Sequence, residues 1–249
     1  MNIIVASSRG FGLEKYLPAN TSIHAKSGGT LKELRKKAKE LIPPPYGLSR
    51  RPHVYFLGGV PNISRLIKEP GNHYKECIYD ENPSETSDHF YNELLKTQNS
   101  MLKRGALPIF CTVPKFNLTL YNNDLLTRNR TSALHYTSQY EDMQKNLNTA
   151  IDSINSHIYQ TNLKTKVSTP FLHCSVMERR GRKNKRYYIY KWELYTDGLH
   201  ATDDLQKIWM KAIEKAIKLN ENLEDSDDEE KSPKRSWRFS SKRPRVEGI

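Results

Sequence analysis

The feature that most constrains the fold is an alternation of short apolar runs with helical patterns. The runs that predict strands are, in chain order, "NIIVAS", "SIHAK", "HVYFLGG", "LPIFCTV" and "PFLHCSVM". Several of these runs are apolar at every position rather than alternating between apolar and polar residues, which is typical of strands that are buried on both faces of a parallel sheet. The sequence therefore predicts an α/β protein, a three-layer α/β/α sandwich with a mostly parallel five-stranded sheet.

Four amphipathic patterns between and after these runs predict the helices. The first opens with Thr30 and Glu33, which have capping-box spacing. The second runs from about residue 88 to 103. The third opens near Ser138 and has the clearest 3.6-residue period, and the fourth begins at Thr202. Helices that alternate with strands in this way cover both faces of a sheet.

Length and composition limit the domain organisation. A chain of 249 residues with 36% hydrophobic content buries one substantial core, so we expect one domain over 1–220 and a tail over 221–249. No apolar run approaches the roughly 18 residues that a membrane helix needs, and the N-terminus lacks the features of a signal peptide. We therefore expect an intracellular protein with no membrane span.

The cysteines and histidines show no metal-ligand spacing, so we expect neither a metal nor a cofactor.

The net charge of +12 is concentrated in the predicted domain, because the tail from residue 221 onward is nearly neutral. The densest basic segment, "RRGRKNKR", is predicted to be a loop or hairpin tip, followed by a strand over 186–195. Its basic residues are Arg179, Arg180, Arg182, Lys183, Lys185 and Arg186. Such a segment can contact nucleic-acid phosphates, or it can serve only to keep the loop solvated.

The tail changes from an acidic run to a basic run with few apolar residues, which predicts disorder. Its basic clusters resemble a nuclear localisation signal read by an import receptor, and they comprise Lys234, Arg235, Lys242, Arg243 and Arg245. We therefore expect a nuclear location, with a merely solubilising tail as the alternative.

Polar groups that suit acyl transfer follow successive predicted strands. Ser7 or Ser8 offers a nucleophile after the first strand. Gly28 and Asn62 offer oxyanion donors after the second and third. Just before the last helix, His200 offers a general base, and Asp197 offers the carboxylate that orients it. Because the carboxyl ends of parallel strands share one edge of the sheet, these groups are predicted to converge there.

Each of these residues also has an ordinary structural interpretation. The Asp197–His200 segment can be a turn that caps the last helix, and the two serines can be helix caps. Arg9, beside the proposed nucleophile, can bind an anionic group of a substrate or form a surface salt bridge. The joint occurrence of four such groups in order favours the catalytic interpretation.

These residues resemble the four sequence blocks of the SGNH or GDSL hydrolases, a family of esterases and lipases with a flavodoxin-like fold. "ASS" stands in the place of the Gly-Asp-Ser block, "SGGTLKEL" is similar to the glycine block, and "DGLHATDD" to the terminal Asp-x-x-His block. The resemblance implies Ser8 as nucleophile, His200 as base and Asp197 as its partner, with oxyanion donors at Ser8, Gly28 and Asn62. Two departures leave the choice between Ser7 and Ser8, and the role of Asn62, open: Ser7 replaces the family's Asp, and Asn62 lies one position later than usual.

Two functions follow from this resemblance. The first is hydrolysis of a small acyl ester, such as an acetyl ester. The alternative is a non-catalytic basic module of the same fold that binds nucleic acid or protein, with the departures of the first block as its evidence. The combination with the tail also resembles proteins of viruses and mobile elements, in which esterase-like domains of this family occur.

Overall fold

A four-stranded parallel sheet forms the centre of the computed structural model, which describes residues 1–42, 50–68, 74–79, 81–129, 137–181 and 187–231. The strands in chain order are β1 (Asn2–Ala6), β2 (Thr21–Ala25), β3 (His53–Leu57), β4 (Arg65–Lys68), β5 (Tyr74–Ile78), β6 (Leu107–Phe110), β7 (Met177–Arg180) and β8 (Tyr187–Tyr190). The central sheet has the order β2-β1-β3-β6, whereas β4 with β5 and β7 with β8 form separate antiparallel pairs.

The helices are α1 (Leu31–Leu41), α2 (Val60–Ile63), α3 (Pro83–Leu102), α4 (Leu118–Asn129), α5 (Thr137–Lys164) and α6 (Asp203–Lys231). Helix α1 begins with the predicted capping box. The Thr30 hydroxyl accepts a hydrogen bond from the Glu33 N–H at 3.4 Å, and the Glu33 carboxylate accepts one from the Thr30 N–H at 2.9 Å. Since α1 leads away from the end of β2, this cap fixes the point at which the chain turns back over the sheet.

The core lies on both faces of the sheet. All five residues of β1 are buried, and they alternate between two apolar clusters. Ile3 and Val5 pack with α1, α3 and α5, while Ile4 and Ala6 pack with α6, whose Trp209 is completely buried. The side-chain period of two along a strand produces this division, and the predicted three-layer α/β/α fold is confirmed.

The predicted fifth strand is wrong, because residues 173–176 of that run form a short 3-10 helix, His173–Val176. Asparagine side chains of α5 instead bond to the backbone N–H and carbonyl groups at the end of β6 and just beyond it. The amide of Asn162 accepts from the Phe110 N–H at 3.1 Å and donates to the Phe110 carbonyl at 2.8 Å. Asn155 makes the same pair of bonds with Val113, at 2.7 and 2.9 Å. These amides provide the backbone partners that a neighbouring strand would otherwise supply.

The chain after residue 177 differs in part from its prediction. Arg180 pairs with Tyr187 in the antiparallel ladder of β7 and β8, whereas residues 182–186 of the basic segment lie outside the described residues. The predicted strand over 186–195 is shorter than expected, since Trp192–Leu194 forms a 3-10 turn. Residues 221–231, expected to be disordered, instead continue helix α6, and 232–249 lie outside the described residues.

Candidate active site

The Asp197–His200 segment forms a tight turn at the start of α6. The Thr196 N–H donates to the His200 carbonyl at 2.8 Å, and Tyr195 and Ala201 form an antiparallel bridge across the base of the turn. Gly198 has a φ of +85°, and a Cβ there would lie 2.8 Å from the Asn117 carbonyl oxygen. Glycine is therefore required both by the left-handed backbone and by the close approach of the neighbouring chain.

The Asp197 carboxylate is the organising group of this turn. Its side chain is completely buried. Oδ1 accepts hydrogen bonds from the N–H groups of Leu199 at 2.9 Å and His200 at 2.7 Å, and Oδ2 is 2.6 Å from His200 Nδ1. Burial alone would raise the pKa of Asp197, but the hydrogen bonds from the ring and backbone of His200 and from Leu199 outweigh it and lower the pKa to about 2. An ionised Asp197 fixes the proton on His200 Nδ1 and leaves Nε2 free to accept another.

Helix α4 supplies two further contacts to this pair. Arg128 Nη2 lies 3.4 Å from Asp197 Oδ2, and Arg128 Nε also pairs with Asp124 at 2.7 Å. The Tyr121 ring meets the His200 ring edge to face, with centroids 6.1 Å apart. Both residues belong to a segment in which the sequence showed no functional motif, so nothing in the local pattern identified them.

The two candidate nucleophiles at the end of β1 have different environments. Ser7 is buried, its N–H donates to the Leu57 carbonyl at 2.8 Å, and its hydroxyl has no hydrogen-bond partner among the described residues. Ser8 is partly exposed and begins the 3-10 turn Ser8–Gly10. A nucleophile must reach substrate, so this difference in exposure favours Ser8 over Ser7.

The candidate oxyanion donors follow β2 and β3 at the same edge of the sheet. Asn62 Oδ1 accepts a hydrogen bond from the Leu31 N–H at 2.8 Å, which orients the amide and leaves its NH₂ group available as a donor. Gly28 has a φ of +62°, and a Cβ built there meets no atom within 4 Å. Gly28 is therefore selected for its left-handed backbone, and its surroundings are open.

Arg9 is neither an exposed anion contact nor part of a surface salt bridge, because its side chain is buried. Nη1 donates to the Pro114 carbonyl at 2.8 Å, and the guanidinium lies over the Phe116 ring, 5.4 Å from its centroid. Burial lowers the pKa of Arg9, while the nearby Tyr195 and Asp197 act in the opposite direction. The expectation that Arg9 forms a surface salt bridge is therefore wrong, whereas its contact with an anionic group of a substrate stays a prediction.

The loop after β6 connects the two halves of the site. Its Pro114 carbonyl receives the Arg9 bond, and its Asn117 N–H donates to the Gly198 carbonyl at 2.9 Å. The loop thus touches both the turn that carries Ser8 and the turn that carries His200. The Ser8 hydroxyl nevertheless makes no hydrogen bond with any residue that the structure describes. The direct bond from Ser8 to His200 stays a prediction, and catalytic hydrogen bonds of this kind often tighten only when substrate binds.

Other predicted residues lie away from this edge or outside the described residues. Arg179 and Arg180 are exposed on β7. Arg182, Lys183, Lys185 and Arg186, and the tail residues Lys234, Arg235, Lys242, Arg243 and Arg245, fall in the parts of the chain that are not described. Within the described ranges, no cluster of three potential metal ligands occurs, and no helix has both the length and the apolarity to cross a bilayer.

A cleft of about 560 Å³ lies beside the Asp197–His200 turn, between the start of α4 and the first half of α5. Its lining includes Asn117, whose backbone contacts Gly198, together with Gln144 and Asn148. Ser8, Asp197 and His200 do not line it. The cleft is therefore a neighbour of the candidate site rather than the site itself.

Comparison with known proteins supports the fold. No model of a known protein family and no curated protein sequence matches this chain. Among solved structures, a GDSL-like lipase from Bacteroides thetaiotaomicron is similar with a TM-score of 0.51 and 13% identity, over 87% of each chain. The C-terminal catalytic domain of peptidoglycan O-acetyltransferase A from Streptococcus pneumoniae is similar with a TM-score of 0.51 and 12% identity, over 89% of this chain and 94% of that one. The chain therefore has the α/β fold of the GDSL-like hydrolases.

Proposed function

We propose that this protein is a serine esterase of the SGNH type that cleaves a small acyl ester. The observation that carries the proposal is the 2.6 Å hydrogen bond between a fully buried Asp197 and His200, at the sheet edge where Ser8 follows β1. A surface turn that only caps a helix has no need of a buried, ionised carboxylate held by three hydrogen bonds.

In the proposed reaction, Ser8 Oγ attacks the acyl carbonyl carbon while His200 Nε2 takes the hydroxyl proton. Asp197 stabilises the imidazolium that forms, because its carboxylate accepts the Nδ1 hydrogen bond. His200 then gives the proton to the leaving alcohol, and the acyl group remains on Ser8. Water then attacks the acyl carbon while His200 Nε2 takes its proton, and His200 returns that proton to Ser8 Oγ as the carboxylic acid is released. General-base assistance of this kind contributes roughly two to four powers of ten in rate.

The negative charge that develops on the carbonyl oxygen requires donors, which we assign to the N–H groups of Ser8 and Gly28 and the side-chain amide of Asn62. The Leu31 N–H holds the Asn62 oxygen, so the NH₂ group is already oriented before substrate arrives. Donors fixed in advance need no reorganisation during the reaction, which is why they stabilise the transition state more than water does.

We assign the acyl group to the small, acetyl-like class. The similar domain from S. pneumoniae is a peptidoglycan O-acetyltransferase, and the similar B. thetaiotaomicron protein is a GDSL-like lipase, so proteins of this fold include one that is named for acetyl transfer. The crowding of the Asp197–His200 turn favours a short acyl group: Tyr121 packs against His200, and Arg128 lies over Asp197.

A second candidate is the non-catalytic basic module of a virus or mobile element, with nuclear import directed by the tail. The Ser8 hydroxyl, which makes no hydrogen bond with any residue that the structure describes, and the replacement of the family's Asp by Ser7 favour it. A structural scaffold retains the buried Asp197 pair for stability alone, whereas an enzyme also depends on Ser8.

The two candidates are separated by p-nitrophenyl acetate hydrolysis and by labelling with a fluorophosphonate probe. We expect hydrolysis and labelling in the wild type, and we expect hydrolysis and labelling to disappear in Ser8→Ala and His200→Ala. Ser7→Ala is the matched control, because its hydroxyl is buried and it should retain labelling. A wild type that neither hydrolyses nor labels, or labelling that survives Ser8→Ala, contradicts the esterase proposal.

A further inference from the structure

The outer surface of α1 and α3 carries a basic groove that takes no part in the proposed reaction. The groove has a volume of about 430 Å³ and is lined by Arg35, Lys39, Lys96, Asn99, Ser100 and Lys103. Arg35 and Lys39 are four residues apart on α1, and Lys96 and Lys103 are seven apart on α3, so each pair projects from one side of its helix. The two pairs therefore form two basic rows along one groove.

Acidic residues neutralise only part of this groove. Glu93 lies 3.3 Å from Arg35 and 2.8 Å from Lys96, so its single charge is divided between two cations. Lys39 and Lys103 are both exposed, and neither forms an ion pair with a residue that the structure describes. The groove thus has net positive charge and two ammonium groups available to an anion.

We propose that this groove binds the phosphate backbone of a nucleic acid without reading its bases. Lysine, arginine, asparagine and serine side chains are donors that contact phosphate oxygens, and all four types occur in the lining. No aromatic side chain lines the groove, so it has no platform for stacking single-stranded bases. The lining is also free of the apolar side chains that a membrane-binding surface buries in lipid.

The groove is distinct from the surface of β7 that carries Arg179 and Arg180. Leu34 and Ala38 of α1 belong to the apolar cluster on one face of the sheet, whereas Tyr190 of β8 packs against the cluster on the other face. Substitutions in the groove and on β7 therefore change separate surfaces. The inference also holds independently of esterase activity, because no groove residue belongs to the candidate active site.

The test is a fluorescence anisotropy titration of a labelled DNA duplex of mixed sequence with the full chain, at several salt concentrations. We expect Lys39→Glu/Lys103→Glu to weaken binding at least about tenfold. It should also reduce the magnitude of the slope of log K, where K is the association constant, against the logarithm of the salt concentration by about 2. Each lost phosphate contact removes about 0.9 from this slope. Lys211→Glu/Lys215→Glu on α6 is the matched control, since it makes the same change in net charge at two exposed lysines. Lys39→Gln/Lys103→Gln provides a milder variant, and circular dichroism verifies that each variant is folded.

Three outcomes overturn the proposal. The first is an equal loss of DNA binding in the groove variant and the α6 control, which attributes binding to net charge alone. The second is a loss confined to Arg179→Glu/Arg180→Glu, which places the interface on the hairpin. The third is a groove variant that loses binding to phosphatidylserine vesicles but keeps its affinity for DNA.

Discussion

Asp197 Oδ2 and His200 Nδ1 are 2.6 Å apart, and the carboxylate in this pair is fully buried while the imidazole is about one third exposed. The pair therefore links the protein interior to the surface through one hydrogen bond. Three residues of separation make the contact local, and the hydrogen bonds of the turn lower the pKa of Asp197 although burial acts in the opposite direction. The proposed role of His200 as a base consequently depends on these hydrogen bonds, and α4 adds the contact from Arg128 to Asp197.

Asp197→Asn should retain the fold and lose most of the esterase activity. An asparagine side chain still accepts hydrogen bonds from the Leu199 and His200 N–H groups, but it no longer stabilises a positive His200 ring. We expect kcat to fall by about 10³ to 10⁴ with little change in KM. Steady-state kinetics with p-nitrophenyl acetate measures this effect, and a variant with nearly normal kcat would contradict the assigned role.

Protein stability should depend on the ionisation of Asp197 at low pH. Its pKa of about 2 in the folded protein lies below the ordinary value of 3.8, so the folded state favours the ionised form. This stabilisation is fully present above about pH 4 and is lost as the pH falls toward 2, with a total of about 2 kcal/mol. Between pH 5 and pH 2, denaturant unfolding should show a steeper loss in the free energy of unfolding for the wild type than for Asp197→Asn. Glu33 also has a lowered pKa, but it is present in both proteins, so its contribution cancels in the comparison. Parallel curves would show that this carboxylate has a normal pKa.

Much of the central sheet and the candidate site could be predicted because the relevant signals are local. The apolar runs of β1 and β3, the capping box at Thr30 and the Asp197–His200 spacing each lie within a few consecutive residues. A parallel sheet then brings the ends of its strands to one edge without any further sequence signal. The choice of Ser8 over Ser7 was open because both are serines, and only burial distinguishes them.

The incorrect predictions concern contacts between residues that are distant in sequence. The run over 170–177 is apolar enough for a strand, but Asn162 already bonds to the backbone of Phe110 at the end of β6, and Asn155 bonds to that of Val113 beyond it. Arg9 is charged and adjacent to the proposed nucleophile, so the sequence gives no indication that Phe116 and Pro114 enclose it. Side chains that bond to backbone more than 40 residues away leave no periodic pattern to detect.

Asn162→Leu should destabilise the protein strongly. Leucine has the same number and branching of side-chain heavy atoms as asparagine, but it leaves the buried N–H and carbonyl of Phe110 without their side-chain partners. Each unsatisfied buried group costs about 1 to 3 kcal/mol, so we expect a loss of about 3 kcal/mol in the free energy of unfolding. Asn146→Leu on the same helix is the control, because Asn146 is exposed and its substitution should change stability by less than about 0.5 kcal/mol. Urea denaturation compares the two, and equal effects would mean that the Asn162 pairing contributes little.

Asn62 has one observed contact and one proposed role, which a pair of substitutions can separate. Its oxygen accepts the Leu31 N–H at 2.8 Å at the start of α1, and its NH₂ group is the proposed oxyanion donor. Asn62→Asp keeps the acceptor and removes the donor, so it should preserve stability while lowering kcat by more than about 10²-fold to 10³-fold, since the added charge repels the oxyanion. Asn62→Ala removes both functions, so it should lose about 1 kcal/mol of stability in addition to a similar fall in kcat. Thermal unfolding and steady-state kinetics on both variants measure the two effects. An Asn62→Asp enzyme of normal activity would leave the amide with a structural role only.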